Sequence, residues 1–267
     1  MKIDDRDVIS FCSNDYLGLA NNPQIKQATI KAINDFGVGS GSAHLVNGHS
    51  IVHHQLEEEL AEFTGYPRAL LFSTGYMANL GLCQALTAKG DYIFEDKLNH
   101  ASLIDGGLIS GARMQRYLHN DVSSLKQKLD KTSNQDANKL VLTDGVFSMD
   151  GDIAKLPKLS TLCRKNNSWL MVDDAHGFGT LGETGRGSLE HFSLGQKDVP
   201  IYMATLGKAI GTAGAFIAGS DELIETIIQQ ARTYIYTTAM PAAIAEATRY
   251  SLNIIQNESR HLNNLNN

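Results

Sequence analysis

Short apolar runs alternate along this chain with amphipathic stretches of helical period. The runs are too short for helices and are bounded by Gly, Asp or Ser, a pattern that predicts buried strands. Five strands are expected on this basis: Ala69–Phe72, Leu140–Leu142, Trp169–Val172, Ile201–Ala204 and Ala215–Ala218. Strands that alternate with helices favour an α/β fold with a mostly parallel sheet and helices on both faces.

The intervening stretches carry helix signals. Ser220 can cap a helix whose first turn is acidic, and Pro241 fits the first turn of a final helix. One apolar stripe has the spacing i, i+4, i+8, i+11, which is typical of a helix with one buried face. Its members are Val52, Leu56, Leu60 and Phe63.

Length and charge exclude several classes of protein. The chain has 267 residues and a formal net charge of −6, with no cluster of Lys and Arg. It is long enough for a packed core, and no nucleic-acid partner is expected. No stretch approaches ~18 uninterrupted apolar residues, so no membrane span is expected. The opening MKIDDRDVIS lacks a basic start and an apolar run, and we expect no signal peptide.

The three cysteines, Cys12, Cys83 and Cys163, are far apart and odd in number. Neither a disulfide framework nor a CxxC metal site follows, and a cytoplasmic location fits best. Asp173, Asp174 and His176 could be considered as metal ligands, but no other His or Cys lies at ligand spacing from them. We therefore predict no metal site.

A GxGxxG motif consists of Gly177, Gly179 and Gly182 and directly follows a predicted strand. A dinucleotide site needs this motif to open a helix, because amides at the helix start meet the pyrophosphate. The residues that follow, 183–188, read Glu-Thr-Gly-Arg-Gly-Ser and resist helix formation. A nicotinamide oxidoreductase is the weaker alternative.

Polar side chains follow the strand Trp169–Val172, in the run Asp173-Asp174-Ala175-His176. Ligands bind at the carboxyl ends of strands in α/β sheets, so these residues are candidates for binding. An ordinary capped strand end would give the same pattern. The run alone does not separate the two.

Lys208 lies in the Gly-flanked stretch Thr205–Gly211, after the strand Ile201–Ala204. A lysine at this edge can enter a pocket, where loss of water lowers its pKa and frees the amine as a nucleophile. Thr205 and nearby amides could hold a phosphate beside it. A solvated surface lysine is the alternative.

Three further segments carry possible binding residues. Gly75 and Tyr76 lie at a helix start after the first predicted strand, which suggests an anion site or a plain N-cap. His100 begins another helix and could stack on a flat ring. Ser148 lies in a loop after a strand, in Gly145–Asp152, a segment that lacks the spacing of a calcium loop.

Together these parts describe one chemistry. A phosphate site, a lysine amine, a carboxylate at a strand end and an aromatic stacker are what a protein needs to hold pyridoxal phosphate. The lysine makes a Schiff base, and the carboxylate keeps the ring nitrogen protonated so that the ring accepts electrons.

The sequence resembles the α-oxoamine synthases, pyridoxal-phosphate enzymes of the aminotransferase-like fold type I. The resemblance runs in the family's order from Phe11 to Pro241. The matching stretches are FCSNDYLGLA, GSGSAHLVNGHS, LEEELAEFTGYPRALLFSTGYMAN, LNHASLIDGG, LTDGVFSMDGD, MVDDAHGFGTLGETGRGS, TLGKAIGTAGAF and YIYTTAMP.

This resemblance implies roles for individual residues. Lys208 would bind the cofactor covalently and move the α-proton, Asp173 would pair with the ring nitrogen, and His176 with the ring hydroxyl. His100 would stack on the ring and contact the substrate. Asn14 matches a residue near the substrate carboxylate.

The remaining cofactor residues implied by the resemblance lie around the phosphate or beside the ring: they are Gly75, Tyr76, Thr205 and Ser148. Thr237 and Thr238 match a stretch that reaches the phosphate of a neighbouring subunit, which implies a homodimer.

The resemblance is strongest to members that condense L-alanine with a pimeloyl thioester, carried by coenzyme A or acyl carrier protein, in biotin biosynthesis. This implies a decarboxylative acyltransferase. The alternatives are a glycine C-acetyltransferase and an inactive cofactor-domain remnant.

The resemblance also divides the chain. Residues 1–35 form an N-terminal segment, 36–245 the large cofactor-binding domain, and 246–267 the start of a C-terminal region. Because family members continue further, the chain resembles a fragment in which the C-terminal small domain is largely missing.

Overall fold

The computed structural model describes residues 2–132, 136–258 and 260–266. Its strands are β1 (Lys2–Ile3), β2 (Arg6–Asp7), β3 (Arg68–Phe72), β4 (Tyr92–Asp96), β5 (Arg113–Tyr117), β6 (Lys139–Asp144), β7 (Trp169–Asp173), β8 (Ile201–Thr205) and β9 (Ala215–Gly219). Its α-helices are α1 (Pro23–Phe36), α2 (Ile51–Thr64), α3 (Gly75–Leu86), α4 (Ala101–Ile109), α5 (Val122–Asp130), α6 (Leu156–Lys165), α7 (Ser188–His191), α8 (Asp221–Gln230), α9 (Arg232–Ile235), α10 (Ala242–Asn257) and α11 (Arg260–Asn266). A short π-helix spans His44–Gly48.

The strands β3 to β9 form one seven-stranded sheet in the order β3-β9-β8-β7-β6-β4-β5. Only β9 runs against its neighbours, β3 and β8, and the other pairs in the sheet are parallel. The first two strands pair separately as a small antiparallel ribbon. The predicted α/β fold with a mostly parallel sheet is confirmed.

All five predicted strands are present, each longer than predicted by one to three residues. In the seven-stranded sheet the prediction missed β4 and β5, and the short strands β1 and β2 were not predicted either. Strand β4 ends in Glu95 and Asp96, both buried, and these charges interrupt its apolar run. Strand β5 reads Arg-Met-Gln-Arg-Tyr and lies at the edge of the sheet, where polar residues replace the apolar run of a central strand.

Two hydrophobic clusters cover the two faces of the sheet. Alternate strand residues point to opposite faces, so Leu71 and Val172 join one cluster while Leu70 and Met171 join the other. The first cluster packs against α2, α5, α6 and α10, and the second against α3, α4 and α8. The predicted stripe on α2 is buried in the first cluster.

The helix boundaries follow their caps with one correction. The Ser220 hydroxyl accepts a hydrogen bond from the amide of Leu223 at 3.2 Å, which confirms the predicted cap of α8. Pro241 was predicted in the first turn of a final helix, but it is the extended N-cap residue of α10, and α11 follows. Among the described residues, no helix is both long and apolar enough to cross a membrane.

Glu95 on β4 gives the fold a dependence on pH. Its side chain is fully buried, and neither carboxylate oxygen has a hydrogen-bond partner among the described residues. Burial raises the pKa of Glu95 from 4.5 to about 7. The folded chain therefore holds this proton between those pH values while the unfolded chain releases it, so the free energy of unfolding falls as pH rises through that window.

The variant Glu95→Gln lacks this proton. Across the same pH window, we expect the free energy of unfolding of the unsubstituted chain to fall by about 3 kcal/mol more than that of the variant. Urea unfolding at a series of pH values measures the difference. Parallel pH profiles for the two chains would contradict the assignment.

Candidate active site

A cavity of about 610 Å³, counting its open mouth, lies where the parallel strands end. Asp144, Asp173 and Thr205 are the last residues of β6, β7 and β8, so three neighbouring strands supply polar groups to one wall. This is where α/β sheets bind ligands. The lining residues are Gly75, Tyr76, Asn79, His100, Ser102, Asp144, Ser148, Asp173, Ala175, His176, Met203, Thr205 and Lys208.

All of the predicted cofactor residues except Thr237 and Thr238 line this cavity. Thr238 is exposed and pairs with Ala43 in an isolated antiparallel bridge, and its carbonyl accepts from the Ser73 hydroxyl at 3.2 Å. Asn14 is also outside the lining. It is linked to the cavity through a chain of hydrogen bonds.

This series of hydrogen bonds begins at Lys208. Its Nζ lies 2.8 Å from Nε2 of His176, and Nδ1 of His176 lies 2.7 Å from the Tyr16 hydroxyl. The Tyr16 hydroxyl donates to Oδ1 of Asn14 at 3.2 Å. One assignment of protons satisfies all three contacts: Lys208 donates to Nε2, and Nδ1 carries a proton that it donates to the Tyr16 oxygen. Burial, followed by the nearby Lys208, lowers the pKa of His176 to about 4, so the ring is neutral.

Lys208 is placed to act as a nucleophile. Burial lowers the pKa of its amine below the usual value, although the carboxyl groups of Asp173 and Asp144 oppose that shift. A neutral amine with a free electron pair is therefore available at lower pH than for a solvated lysine.

The side chains of Asp173 and Asp174 lie on opposite sides of the polypeptide backbone. Asp173 lines the cavity, where its carboxylate accepts from Nδ2 of Asn79 at 2.7 Å and from the amide of Ala175 at 3.1 Å. Asp174 is fully buried behind the wall and accepts from the Ser188 amide at 2.7 Å and from the Tyr202 hydroxyl at 2.8 Å.

Gly177, the first glycine of the predicted motif, packs against Asp174, and so does Gly187 just beyond the motif. A Cβ at Gly177 would lie 2.2 Å from Oδ1 of Asp174, and the same carboxylate crowds Gly187 at 2.0 Å. Residues 177–185 form turns and bends, and the next helix begins only at Ser188. The weak dinucleotide alternative is therefore contradicted, because no helix opens after these glycines to meet a pyrophosphate.

Replacing Gly177 by alanine tests this packing. The added methyl group would force the Asp174 carboxylate aside, and we expect the free energy of unfolding to fall by about 1–3 kcal/mol. Gly195→Ala is the matched control, because nothing lies within 4 Å of a Cβ at that position. Urea unfolding of both variants measures the effect, and equal stabilities would refute the steric explanation.

Three polar lining residues were not predicted: Asp144, Asn79 and Ser102. Asp144 lies two residues after the end of the predicted strand Leu140–Leu142. A search for polar side chains within two residues of that strand end would have found it. Burial, followed by the neighbouring Asp173, raises the pKa of Asp144 well above its usual range. Its Oδ1 is buried and has no hydrogen-bond partner among the described residues.

Asn79 connects the Asp173 carboxylate to His100 through Ser102. Its Nδ2 donates to Asp173 and, at 2.8 Å, to the Ser102 hydroxyl, which lies 2.7 Å from Nδ1 of His100. Asn79 lies four residues after Gly75 on α3, and this i, i+4 spacing was the available sequence signal. His100 is the N-cap of α4, and its ring is exposed at the cavity wall.

The first turn of α3 supplies the second wall. Thr74 caps the helix by accepting from the Met77 amide at 3.1 Å, and the next residues, Gly75 and Tyr76, reach the cavity. Thr205, the last residue of β8, lines the same cavity and donates to the carbonyl of Gly214 at 3.0 Å. The amides of a helix start favour a bound anion, so this end of the cavity suits a phosphate.

These groups fit pyridoxal phosphate. Two buried carboxyl groups, Asp144 and Asp173, line the cavity and would suit a cationic ring nitrogen, and within the described part of the chain Oδ1 of Asp144 has no hydrogen-bond partner. Lys208 offers an amine, whose pKa is lowered by burial, to an aldehyde, and the α3 start offers amides to a phosphate.

Comparison with known proteins agrees with this geometry. The sequence profile of aminotransferase class I and II matches residues 6–266. The chain belongs to this family. It is 64% identical to the 8-amino-7-oxononanoate synthase of Thioalkalivibrio sulfidiphilus over 97% of this chain and 66% of that protein. The corresponding enzyme of Methylococcus capsulatus is 60% identical over 96% of this chain and 66% of that protein.

Solved structures show the same fold. An 8-amino-7-oxononanoate synthase from Francisella tularensis superposes with a TM-score of 0.84 at 37% identity, covering 96% of this chain and 72% of that one. A serine palmitoyltransferase from Sphingomonas wittichii has a TM-score of 0.91 at 34% identity, with 95% and 63% covered. The predicted resemblance and the fold type I assignment are confirmed. The chain spans 66% of the length of the two curated relatives described above.

Proposed function

We propose that this chain binds pyridoxal phosphate and contributes the cofactor site of an enzyme that condenses L-alanine with a pimeloyl thioester to give 8-amino-7-oxononanoate. The observation that carries the proposal is the position of the Lys208 amine in one cavity with Asp173 and His176. The names of the relatives supply the product, 8-amino-7-oxononanoate. Serine palmitoyltransferase structures of the same fold contain pyridoxal phosphate.

In this proposal, different residues of the cavity bind different parts of the cofactor. Lys208 would hold the cofactor through Nζ, Asp173 would face its ring nitrogen, and His176 its ring hydroxyl. Gly75, Tyr76 and Thr205 would surround the phosphate. When bound, pyridoxal phosphate supplies a ring that accepts the electron pair left at the amino-acid α-carbon.

In this proposal, Lys208 transfers the α-proton of the amino acid. Because burial lowers its pKa, its amine takes up the α-proton of the amino acid and returns a proton at the end of the reaction. The hydrogen-bond chain through His176 and Tyr16 fixes the imidazole tautomer, so Nε2 stays an acceptor toward Lys208.

Asp173 would stay ionised against a positive ring nitrogen, although its burial alone raises the pKa. Hydrogen bonds from Asn79 and Ala175 favour the ionised form and hold the carboxylate in place. His100, supported by Ser102, would stack on the ring and contact the substrate.

The remaining predictions are carried forward as part of the proposal. Ser148 would lie beside the cofactor and Asn14 near the substrate carboxylate. Thr237 and Thr238 would reach the phosphate of a second subunit in a homodimer. The large cofactor domain at 36–245, between the segments 1–35 and 246–267, and the cytoplasmic location also remain predictions.

Glycine with an acetyl thioester is the second substrate pair predicted from the sequence. The named relatives favour alanine and a pimeloyl thioester instead. The two amino acids differ by one methyl group, which is worth only about 1–3 kcal/mol of discrimination. Either coenzyme A or acyl carrier protein could carry the pimeloyl group.

The test is a comparison of substrate pairs on the chain loaded with pyridoxal phosphate. L-alanine with pimeloyl-coenzyme A, or with pimeloyl-acyl carrier protein, should give amino ketone and carbon dioxide faster than glycine with acetyl-coenzyme A. A faster reaction of the glycine pair would replace the proposed substrates. Cofactor binding without turnover of any pair would support an inactive cofactor-domain remnant.

A further inference from the structure

A cluster of histidines lies outside the cavity, around the start of α2. Ring atoms of His49 and His54 and a carboxylate oxygen of Glu57 all lie within 4.8 Å of one another. His44 and His53 pack against His49, with ring centroids 5.2 and 5.4 Å away. Nothing in the proposed reaction uses these side chains.

We propose that His49, His54 and Glu57 bind a divalent transition-metal ion of the zinc type. Two imidazoles and one carboxylate, with water in the fourth position, form a ligand set that zinc prefers. The prediction of no metal site rested on the cysteine spacing, on the segment Gly145–Asp152 and on the groups near Asp173, so this site corrects it.

The two less exposed ligands are already held in place by their other atoms. Nδ1 of His49 lies 2.9 Å from Nδ1 of His44, which leaves Nε2 of His49 facing Oε2 of Glu57 at 3.9 Å. The other oxygen of Glu57 accepts from the Leu71 amide at 3.0 Å. Such outer hydrogen bonds orient metal ligands and fix the histidine tautomer.

His54 completes the set from the helix surface. It lies three residues before Glu57 on α2, so the two side chains share one face. Tetrahedral zinc ligands at 2.0–2.1 Å lie about 3.3 Å apart, so the three groups must close by roughly an ångström. The side chain of His54 is 59% exposed and can turn, although Glu58 lies 3.3 Å from its Nε2.

An ion can reach this site from solvent, because the side chains of His49 and Glu57 are 27% and 13% exposed. The bound ion would tie the segment before α2 to the helix itself. His44 stacks on Tyr234 and Nε2 of His53 lies 2.7 Å from the Met240 carbonyl, so the same cluster contacts both ends of the segment that carries Thr237 and Thr238.

Isothermal titration of the tag-free chain with ZnCl₂ tests the proposal. We expect one zinc ion per chain and a higher unfolding temperature in its presence. His54→Gln should weaken binding at least about tenfold and remove the thermal shift. Because His54 is exposed, this variant should fold normally.

Two further variants sharpen the result. Glu57→Gln keeps an acceptor for the Leu71 amide but loses the negative charge, and it should weaken binding by a similar factor. His191→Gln removes an exposed histidine elsewhere and should bind zinc as the unsubstituted chain does. Equal zinc affinity of the unsubstituted chain and His54→Gln, or no 1:1 binding at all, would overturn the proposal.

Discussion

Replacing Asp173 by asparagine should slow the exchange of the α-proton of L-alanine by about 10²–10⁴-fold in the chain loaded with pyridoxal phosphate. The neutral amide cannot balance a positive ring nitrogen, so the ring becomes a weaker electron acceptor. The side chain keeps its shape, and the carbonyl oxygen can still accept from Asn79, so the fold should be retained. Deuterium exchange followed by NMR measures the rate.

The neighbouring carboxylate provides the matched control. Asp174→Asn changes the same chemical group one residue away, but Asp174 does not line the cavity. Its α-proton exchange should stay within a few-fold of the unsubstituted rate for the fraction that is folded. Slow exchange in Asp174→Asn together with normal exchange in Asp173→Asn would show that the wrong carboxylate has been assigned to the ring nitrogen.

Removing the Asp174 carboxylate should have its large effect on stability instead. The variant Asp174→Ala leaves the Ser188 amide and the Tyr202 hydroxyl without their acceptor in the interior. Each unsatisfied buried group costs about 1–3 kcal/mol, so we expect the free energy of unfolding to fall by about 2–5 kcal/mol. The carbonyl of Arg186, 3.4 Å from the Tyr202 hydroxyl, offers only a partial replacement.

Urea unfolding measures this loss. Asp150→Ala, at an exposed aspartate in the loop after β6, should change the free energy of unfolding by less than about 0.5 kcal/mol. An Asp174→Ala variant as stable as Asp150→Ala would contradict the buried role of Asp174.

Much of this architecture was predictable because five strands of the seven-stranded sheet contain an apolar run. Burial on both faces requires such runs, and β3, β6, β7, β8 and β9 all have them. The edge strand β5 and the charged end of β4 lack that signal, because their neighbours in space decide their conformation. The π-helix at His44–Gly48 has no periodic pattern to reveal it.

The residues of the candidate site were likewise predictable only in part. Asp173 and Lys208 follow predicted strands, and the strand-end rule brought them to one edge before any contact was known. Asn79 and Ser102 were missed because their contacts depend on how α3 and α4 pack, with Asn79 bridging Ser102 and Asp173. Spacing within one helix does not determine a contact between two elements.

The link from Lys208 to Tyr16 joins residues 192 positions apart through His176, and local sequence gives no indication of it. The resemblance to a known family supplied the role of His176. The contact with Tyr16 came only from the three-dimensional structure. The roles of these residues in a reaction stay predictions until they are measured.

The central claim is that Lys208 is the residue that binds pyridoxal phosphate covalently. Borohydride reduction of the loaded chain, followed by peptide mapping, tests it most directly, with Lys208→Ala as the control. We predict that the phosphopyridoxyl group is found on the peptide that contains Lys208 and that Lys208→Ala carries none. Specific labelling of another lysine, or equal labelling of Lys208→Ala, would contradict the assignment.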